Sequence, residues 1–252
     1  MPQSGTLQAM GAETPGDSGH PQARGRAGAA ATVPDLALTR VSAAEQVAEL
    51  LTTQILEGVL GAGVRLRESA LAAQLGISRN SVREGIRLLE QSRLVRYEMH
   101  RGAVVATPSV DELDDLYVTR KRLEGAAAAV APDAEQLAAL HDAFDAFIAV
   151  AERGQAREIV AADLAFHAKM VSLLGSRRID VFYAGVATEM SYYLMLLSYV
   201  DHEHEHPWEL LVPHHRALLD ALASGRPEVA RTAIERHLDE NHARIRQILL
   251  DS

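Results

Sequence analysis

Cysteine is absent from the 252 residues. Its absence removes disulfides, thiolate metal sites and cysteine nucleophiles together, and it fits a reducing compartment. Aromatic residues are also scarce, at 4% against a hydrophobic fraction of 48%. Much of that apolar content is Ala and Leu, which supplies a core and favours helix. No apolar run reaches the length of a membrane span, and the opening residues do not combine a charged region, an apolar core and a cleavage site. The expectation is a soluble, cytoplasmic protein with no membrane partner. The length allows one domain, and two of ordinary size are at least as natural.

Positive charge is in short supply too, with a formal net charge of -9. Its distribution matters more than the sum. From Gly61 to Pro108 there are 8 Arg against 4 acidic residues, whereas acids dominate from Ser109 onward. A small basic module on a larger acidic one can still bind DNA, because local charge decides which surface meets phosphate.

The chain divides into three pieces. Residues 1–34 are rich in Gly, Pro, Ser and Ala without a sustained apolar period, and are expected to be a disordered extension. Within 35–108, Val47, Leu51, Ile55 and Val59 recur at helical spacing. After the break "GAG", the stretch "RESALAAQLG" predicts a short helix that Gly76 can stop in a left-handed conformation. Ser78 is placed to cap "RNSVREGIRLLEQ". There Val82, Ile86 and Leu89 form an inward stripe while Arg79, Arg83 and Arg87 share another face. "RLVRY" and "AVVAT" around "EMHRG" predict a hairpin with Gly102 near its tip. A helix, two short helices joined by a tight turn and then a hairpin describe a winged helix-turn-helix. Arg reads guanine edges, and Ser, Asn and a helix N-terminus suit phosphate. Taken singly, each of these arginines is equally explained as part of a solvated face.

Residues 109–252 read as helix throughout, with expected spans 110–131, 133–153, 156–174, 177–199, 208–223 and 227–249, punctuated by Pro and Gly. Six or seven antiparallel helices around one core follow. The fold class is therefore mainly α: a winged helix-turn-helix followed by an all-helical bundle.

Several polar residues point inward in this bundle. Asp163 and His167 stand four residues apart among apolar neighbours, so both side chains can face one centre. An isolated pair of this kind is more often a histidine held by a carboxylate, with no metal. His215 on the stripe Leu211, Leu218 and Leu222, and His237 with Ala230, Ile234 and Ile245, change the balance. One Asp and three His suit a divalent metal such as zinc or nickel. His214 is the rival to His215, and the fuller apolar stripe favours His215. Arg120 also faces inward; it either pairs with Glu124 or clamps a carboxylate bidentately. Asn241 lies a turn beyond His237. The run "DHEHEH" at 201–206 reads as a solvated connection.

The residues "GAGVRLRESALAAQLGISRNSVREGIRLLEQSRLV" and "RGAVVA" resemble the N-terminal domain of GntR-family bacterial transcription regulators. "DLAFH" and "HRALLDALASGRPEVARTAIERH" resemble the FCD effector domain of the FadR-like branch. The resemblance implies DNA contacts from Arg67, Ser78, Arg79, Asn80, Ser81 and Arg83, and from a wing tip at Arg101 and Gly102. It implies Asp163, His167, His215 and His237 as metal ligands, with Arg120 and Asn241 facing the effector. It further implies a homodimer on double-stranded operator DNA and a small carboxylate effector completing the metal's coordination, commonly relieving repression. Two positions depart from the pattern: Arg93 stands where Gly is usual, and Gly85 where Ala is usual. A metal-dependent enzyme using the same Asp and His residues is the competing reading, although no general base is evident beside them. A regulator with a purely structural metal is the third.

Overall fold

The computed structural model describes residues 41–251. The expected N-terminal extension, and residues 35–40 of the second piece, lie outside the described residues.

Helix α1 (Ala43–Leu56) begins with a capping box, in which the Ser42 hydroxyl accepts the Glu45 amide and the Glu45 carboxylate accepts the Ser42 amide. Such reciprocal bonds satisfy two donors that no helical carbonyl can reach. Val47, Leu51 and Ile55 are buried as the spacing predicts, but Val59 is 66% exposed. The helix has already ended, since Gly58 takes a positive φ of 73°. Helix α2 (Glu68–Leu75) stops at Gly76 with φ 67°, and α3 (Arg79–Gln91) starts from Ser78, whose Oγ accepts the Ser81 amide. Strands β1 (Val95–Glu98) and β2 (Gly102–Val105) pair antiparallel, Val95 opposite Val105 and Glu98 opposite Gly102. Arg65 adds a bridge to Val104. These elements enclose one hydrophobic core, with Val82, Ile86, Leu89 and Leu94 at its centre.

Gly85 explains the closeness of α1 and α3. A Cβ there would stand 2.7 Å from Val47 Cγ1 and 2.9 Å from the Ala44 carbonyl oxygen. The residue that propensity disfavours is the one the packing needs. Arg93, at the turn into β1, holds a positive φ of 57°, a conformation glycine adopts freely and other residues pay for.

The second core belongs to α4 (Val110–Ala128), α5 (Ala134–Ala151), α6 (Ala156–Val171), α7 (Arg177–Val200), α8 (Pro207–Leu210), α9 (Val212–Ala223) and α10 (Pro227–Asp251). The expected helix 208–223 is two helices. Pro213 lacks an N–H and its ring would strike the carbonyl four residues back, so the chain breaks at Leu211 and restarts with Pro213 in the first turn of α9. Ser109 and Asp133 cap α4 and α5 through the Glu112 and Gln136 amides. Helix α4 packs on α10, α6 packs between α5 and α7, and α9 touches both α5 and α10. Inward faces of α4, α6, α9 and α10 thereby meet. Among the described residues, no helix is long and apolar enough to cross a membrane.

Candidate metal centre and nucleic-acid face

Three imidazoles meet at the middle of the bundle. His167 from α6, His215 from α9 and His237 from α10 offer ligand nitrogens that all lie within 4.8 Å of one another. His215 is 1% exposed and its neighbour His214 has 54% of its side chain in solvent, so the rivalry resolves to His215. The rings pack edge to face, except His167 and His237, which stack at 5.2 Å.

Proton positions at two of the three follow from their partners. His167 Nδ1 lies 2.7 Å from Glu124 Oε2, and His215 Nδ1 lies 3.0 Å from the Leu211 carbonyl oxygen. Ionised carboxylate and carbonyl oxygens only accept, so both Nδ1 atoms carry a proton, which leaves Nε2 as the atom of each neutral ring that can meet a metal. Burial opposes a charge on His215, but the Asp163 carboxylate beside it raises that ring's pKa. His167 Nε2 and both nitrogens of His237 have no hydrogen-bond partner, and His215 Nε2 faces the Asp163 carboxylate alone. Burial, followed by the neighbouring His167 and His215, holds the His237 pKa well below the ordinary imidazole value. Neutral imidazoles with free lone pairs are what a divalent ion binds, and the Glu124 carboxylate orients one of them as such sites require.

Asp163 on α6 joins at the edge. Its Oδ1 stands 2.6 Å from His215 Nε2. Burial alone would raise its pKa, but the His215 imidazole and the two further histidines hold it below the usual carboxylate range. The three histidines thus form the cluster, and Asp163 meets it through His215.

Arg120 and Glu124 occupy the same space. The pair is fully buried, with Arg120 Nε 2.6 Å from Glu124 Oε1. Burial opposes ionisation of Glu124, yet the Arg120 charge, His167 and the Tyr183 hydroxyl 2.7 Å away bring its pKa down to about 2. Both readings of Arg120 have support: Nε pairs with Glu124, while Nη1 and Nη2 have no partner. A guanidinium fork left open in a buried site fits a carboxylate held by two parallel bonds. Asn241, four residues beyond His237 on α10, is half-buried. Tyr183, from α7, had no local signal in the sequence, because it reaches Glu124 from 59 residues away.

The 201–206 connection is less solvated than its composition suggests. Arg244 donates to Asp201 from α10, and His204 Nδ1 lies 3.0 Å from the Ser198 carbonyl oxygen. Glu203 is half-buried, and its pKa is pushed up to about 7 by burial and then by the Asp163 and Asp201 carboxylates.

On the front module, Arg65, Arg67, Arg79 and Arg101 line one concave face with Gly102, between the start of α3 and the wing. Arg67 and Arg79 are exposed and carry no ion pair among the described residues. Arg83 is tied to Glu68, with Nη2 3.0 Å from Oε2. Arg101, at the wing tip, pairs with Glu98 of β1, and its Nη2 donates to the Gly63 carbonyl in the loop before α2 at 3.0 Å. Ser78 and Ser81 are occupied with each other at the helix start, and Asn80 is exposed beside them.

Comparison with known proteins bears on both halves. Residues 43–105 match the model described as bacterial regulatory proteins, gntR family, and residues 115–240 match that of the FCD domain. The "Probable D-xylose utilization operon transcriptional repressor" of Paenarthrobacter nicotinovorans is 31% identical over 206 residues, covering 80% of this chain and 88% of that protein. The crystal structure of a protein described as transcriptional regulator GntR from Rhodococcus sp. RHA1 is 30% identical, with a TM-score of 0.65 over 81% of this chain and 98% of that one. E. coli McbR/YncC, at 24% identity and a TM-score of 0.65 over 82% of this chain and 99% of that one, shares the fold.

Proposed function

Because the chain belongs to the GntR family of bacterial regulatory proteins and carries an FCD domain, we propose that it is a DNA-binding repressor released when a small organic acid binds at a metal held by the helical bundle. Regulation, not catalysis, is the role of that family, and this decides against the metal-dependent enzyme even though Glu203 lies near the site. The observation that carries the finer reading is the set of buried atoms left without partners. Lone pairs on three histidines call for a cation, and the open fork of Arg120 calls for an anion. Each would be costly to bury unsatisfied.

In this reading His167, His215, His237 and Asp163 hold zinc or nickel, and residues 109–252 form the sensing domain. The metal, when bound, supplies a positive centre with room for an oxygen ligand. Arg120 receives the effector's carboxylate, Glu124 keeps the guanidinium and His167 in register, and the apolar bundle excludes water. Asn241 offers an amide to the same ligand. The relative from Paenarthrobacter nicotinovorans is named for repression, which supports the direction of control. Its name refers to a sugar operon, so the acid reading rests on Arg120 and not on that relative.

The module within 35–108 binds operator DNA through Arg67, Arg79 and Arg83, with Ser78, Asn80 and Ser81 at the start of α3 and Arg101 and Gly102 on the wing. Two copies in a homodimer place two such modules on a near-palindromic site. Contacts to phosphate predict affinity that falls as salt rises.

The test uses the full chain and DNA from immediately upstream of its own and adjacent genes. Arg83→Ala is expected to lower DNA affinity by about 10-fold or more, as loss of a charged base or phosphate contact does, with metal content unchanged. Equal binding by variant and parent would sink the assignment. Addition of the effector acid is expected to release DNA from the metal-loaded parent without any chemical change in the acid. Turnover of the acid would instead restore the enzyme reading.

A further inference from the structure

Tyr117 contributes the one buried orphan atom that the metal-and-carboxylate reading leaves unused. Its residue is 0% exposed and its hydroxyl has no hydrogen-bond partner. The ring is held on both sides: His242 stacks on it at 4.6 Å, and the Arg120 guanidinium carbon lies 5.4 Å from its centre. His242 is itself fixed by Asp114, 2.6 Å from its Nε2. The hydroxyl therefore cannot turn out to water. Buried tyrosines normally bond their hydroxyl, and an orphaned one bears the desolvation cost of that group uncompensated. Phenylalanine would fill the same space without that cost, so packing alone does not account for Tyr117.

The hydroxyl also sits in the right company. Burial raises its pKa against the neighbouring Arg120 guanidinium, which lowers it by charge and by an approach too poorly placed to count as a full hydrogen bond, while Glu124 and Asp163 add to the rise. These are the residues around the metal centre. It is a neutral group that both donates and accepts. Tyr117 and Arg120 stand three residues apart on α4, which puts them on one face of the helix. A ligand whose carboxylate fills the Arg120 fork thus brings its next atoms toward the Tyr117 hydroxyl.

The geometry points to Tyr117 as the residue that reads a second oxygen on the effector, selecting acids with a hydroxyl or keto oxygen beside the carboxylate over plain aliphatic acids. This rests on the carboxylate reading of Arg120 given above. A plain acid would occupy the fork and leave the hydroxyl unpaired, keeping the cost of the orphan in the complex. A hydroxy acid removes it. The difference appears as discrimination between ligands and not as a change in the metal.

Calorimetric titration of the metal-loaded full chain with lactate against propionate, and malate against succinate, tests the inference. The parent is expected to bind the hydroxylated member of at least one pair about 10-fold more tightly, the value of one satisfied buried hydroxyl. Tyr117→Phe is expected to bind both members of that pair alike, with parental metal content and a thermal midpoint no lower than the parent's. Binding of acids without discrimination by the parent, or discrimination that survives in Tyr117→Phe, overturns the role of Tyr117 and leaves the carboxylate reading standing. Failure of the parent to bind any of the four acids overturns both together.

Discussion

Seven buried side-chain nitrogen and oxygen atoms lack a well-placed hydrogen-bond partner among the described residues, and they belong to Tyr117, Arg120, His167, His215 and His237. Folded proteins rarely tolerate such atoms, so their concentration in one centre marks a place completed by something other than protein. His237 offers the sharpest test, because neither of its nitrogens is bonded while the ring is 6% exposed. In the metal-free chain it contributes cost and no hydrogen bond. His237→Leu is therefore expected to raise metal-free stability, by roughly 1–3 kcal/mol in chemical denaturation, while metal binding and its thermal shift disappear. A destabilised metal-free variant would show that His237 serves the protein structurally. Much of this centre was legible from residue spacing: His167, His215, His237 and Arg120 each sat on an apolar stripe at helical period. Tyr117 and Tyr183 were not, since an aromatic on an inward face is ordinary core and only the three-dimensional placement of its hydroxyl sets it apart.

At the scale of the element, caps and stops were written locally. Ser42, Ser78, Ser109 and Asp133 cap their helices, and Gly76 ends α2 in the left-handed region. What local reading misses is contact with another element. Gly85 illustrates the point, since propensity favours Ala there by about 1 kcal/mol. The structure argues the reverse, because the added methyl would press on Val47 and on the Ala44 backbone at 2.9 Å. A flexible side chain could yield, but a helix carbonyl yields only by moving α1 off α3. Overpacking of this kind costs about 1–3 kcal/mol, which exceeds the propensity gain. Gly85→Ala is expected to lower the thermal midpoint of the full chain and weaken DNA binding with it. A higher midpoint would show that the two helices separate freely. The break between α8 and α9 has the opposite origin. Pro213 announced it locally, but the continuous stripe through Leu211 and His215 concealed it.

For the whole molecule, the proposed function asks how an acid among the buried histidines would change an arginine face on another core. Helix α7 reaches both, as α1 does in the other direction through Leu56, which packs against the core of the bundle. Tyr183 on α7 donates to Glu124 in the centre, and Tyr192 on the same helix packs against the core of the winged module. The two lie nine residues apart, about 13 Å along the helix axis. Polar links flank this contact: Arg93 stands 3.7 Å from Glu189 of α7, and Arg157 of α6 donates to Thr53 of α1 at 2.6 Å. Arg93 is largely exposed, so its ion pair adds little energy and serves mainly to set orientation. On the proposed reading, an acid that took the open side of Arg120 would alter the load on Glu124 and hence on Tyr183, and α7 would carry that shift to Tyr192. Coupling between sites of this kind amounts to about 1–3 kcal/mol, a 5- to 150-fold change in affinity. Tyr192→Ala is therefore expected to keep metal binding and DNA binding while the ratio of DNA affinities without and with acid falls toward one. Fluorescence anisotropy on labelled DNA, with and without a saturating acid, measures that ratio directly. A parental ratio in the variant would place the coupling elsewhere, with the Leu56 packing of α1 and the Arg93–Glu189 and Arg157–Thr53 links as connections still to break.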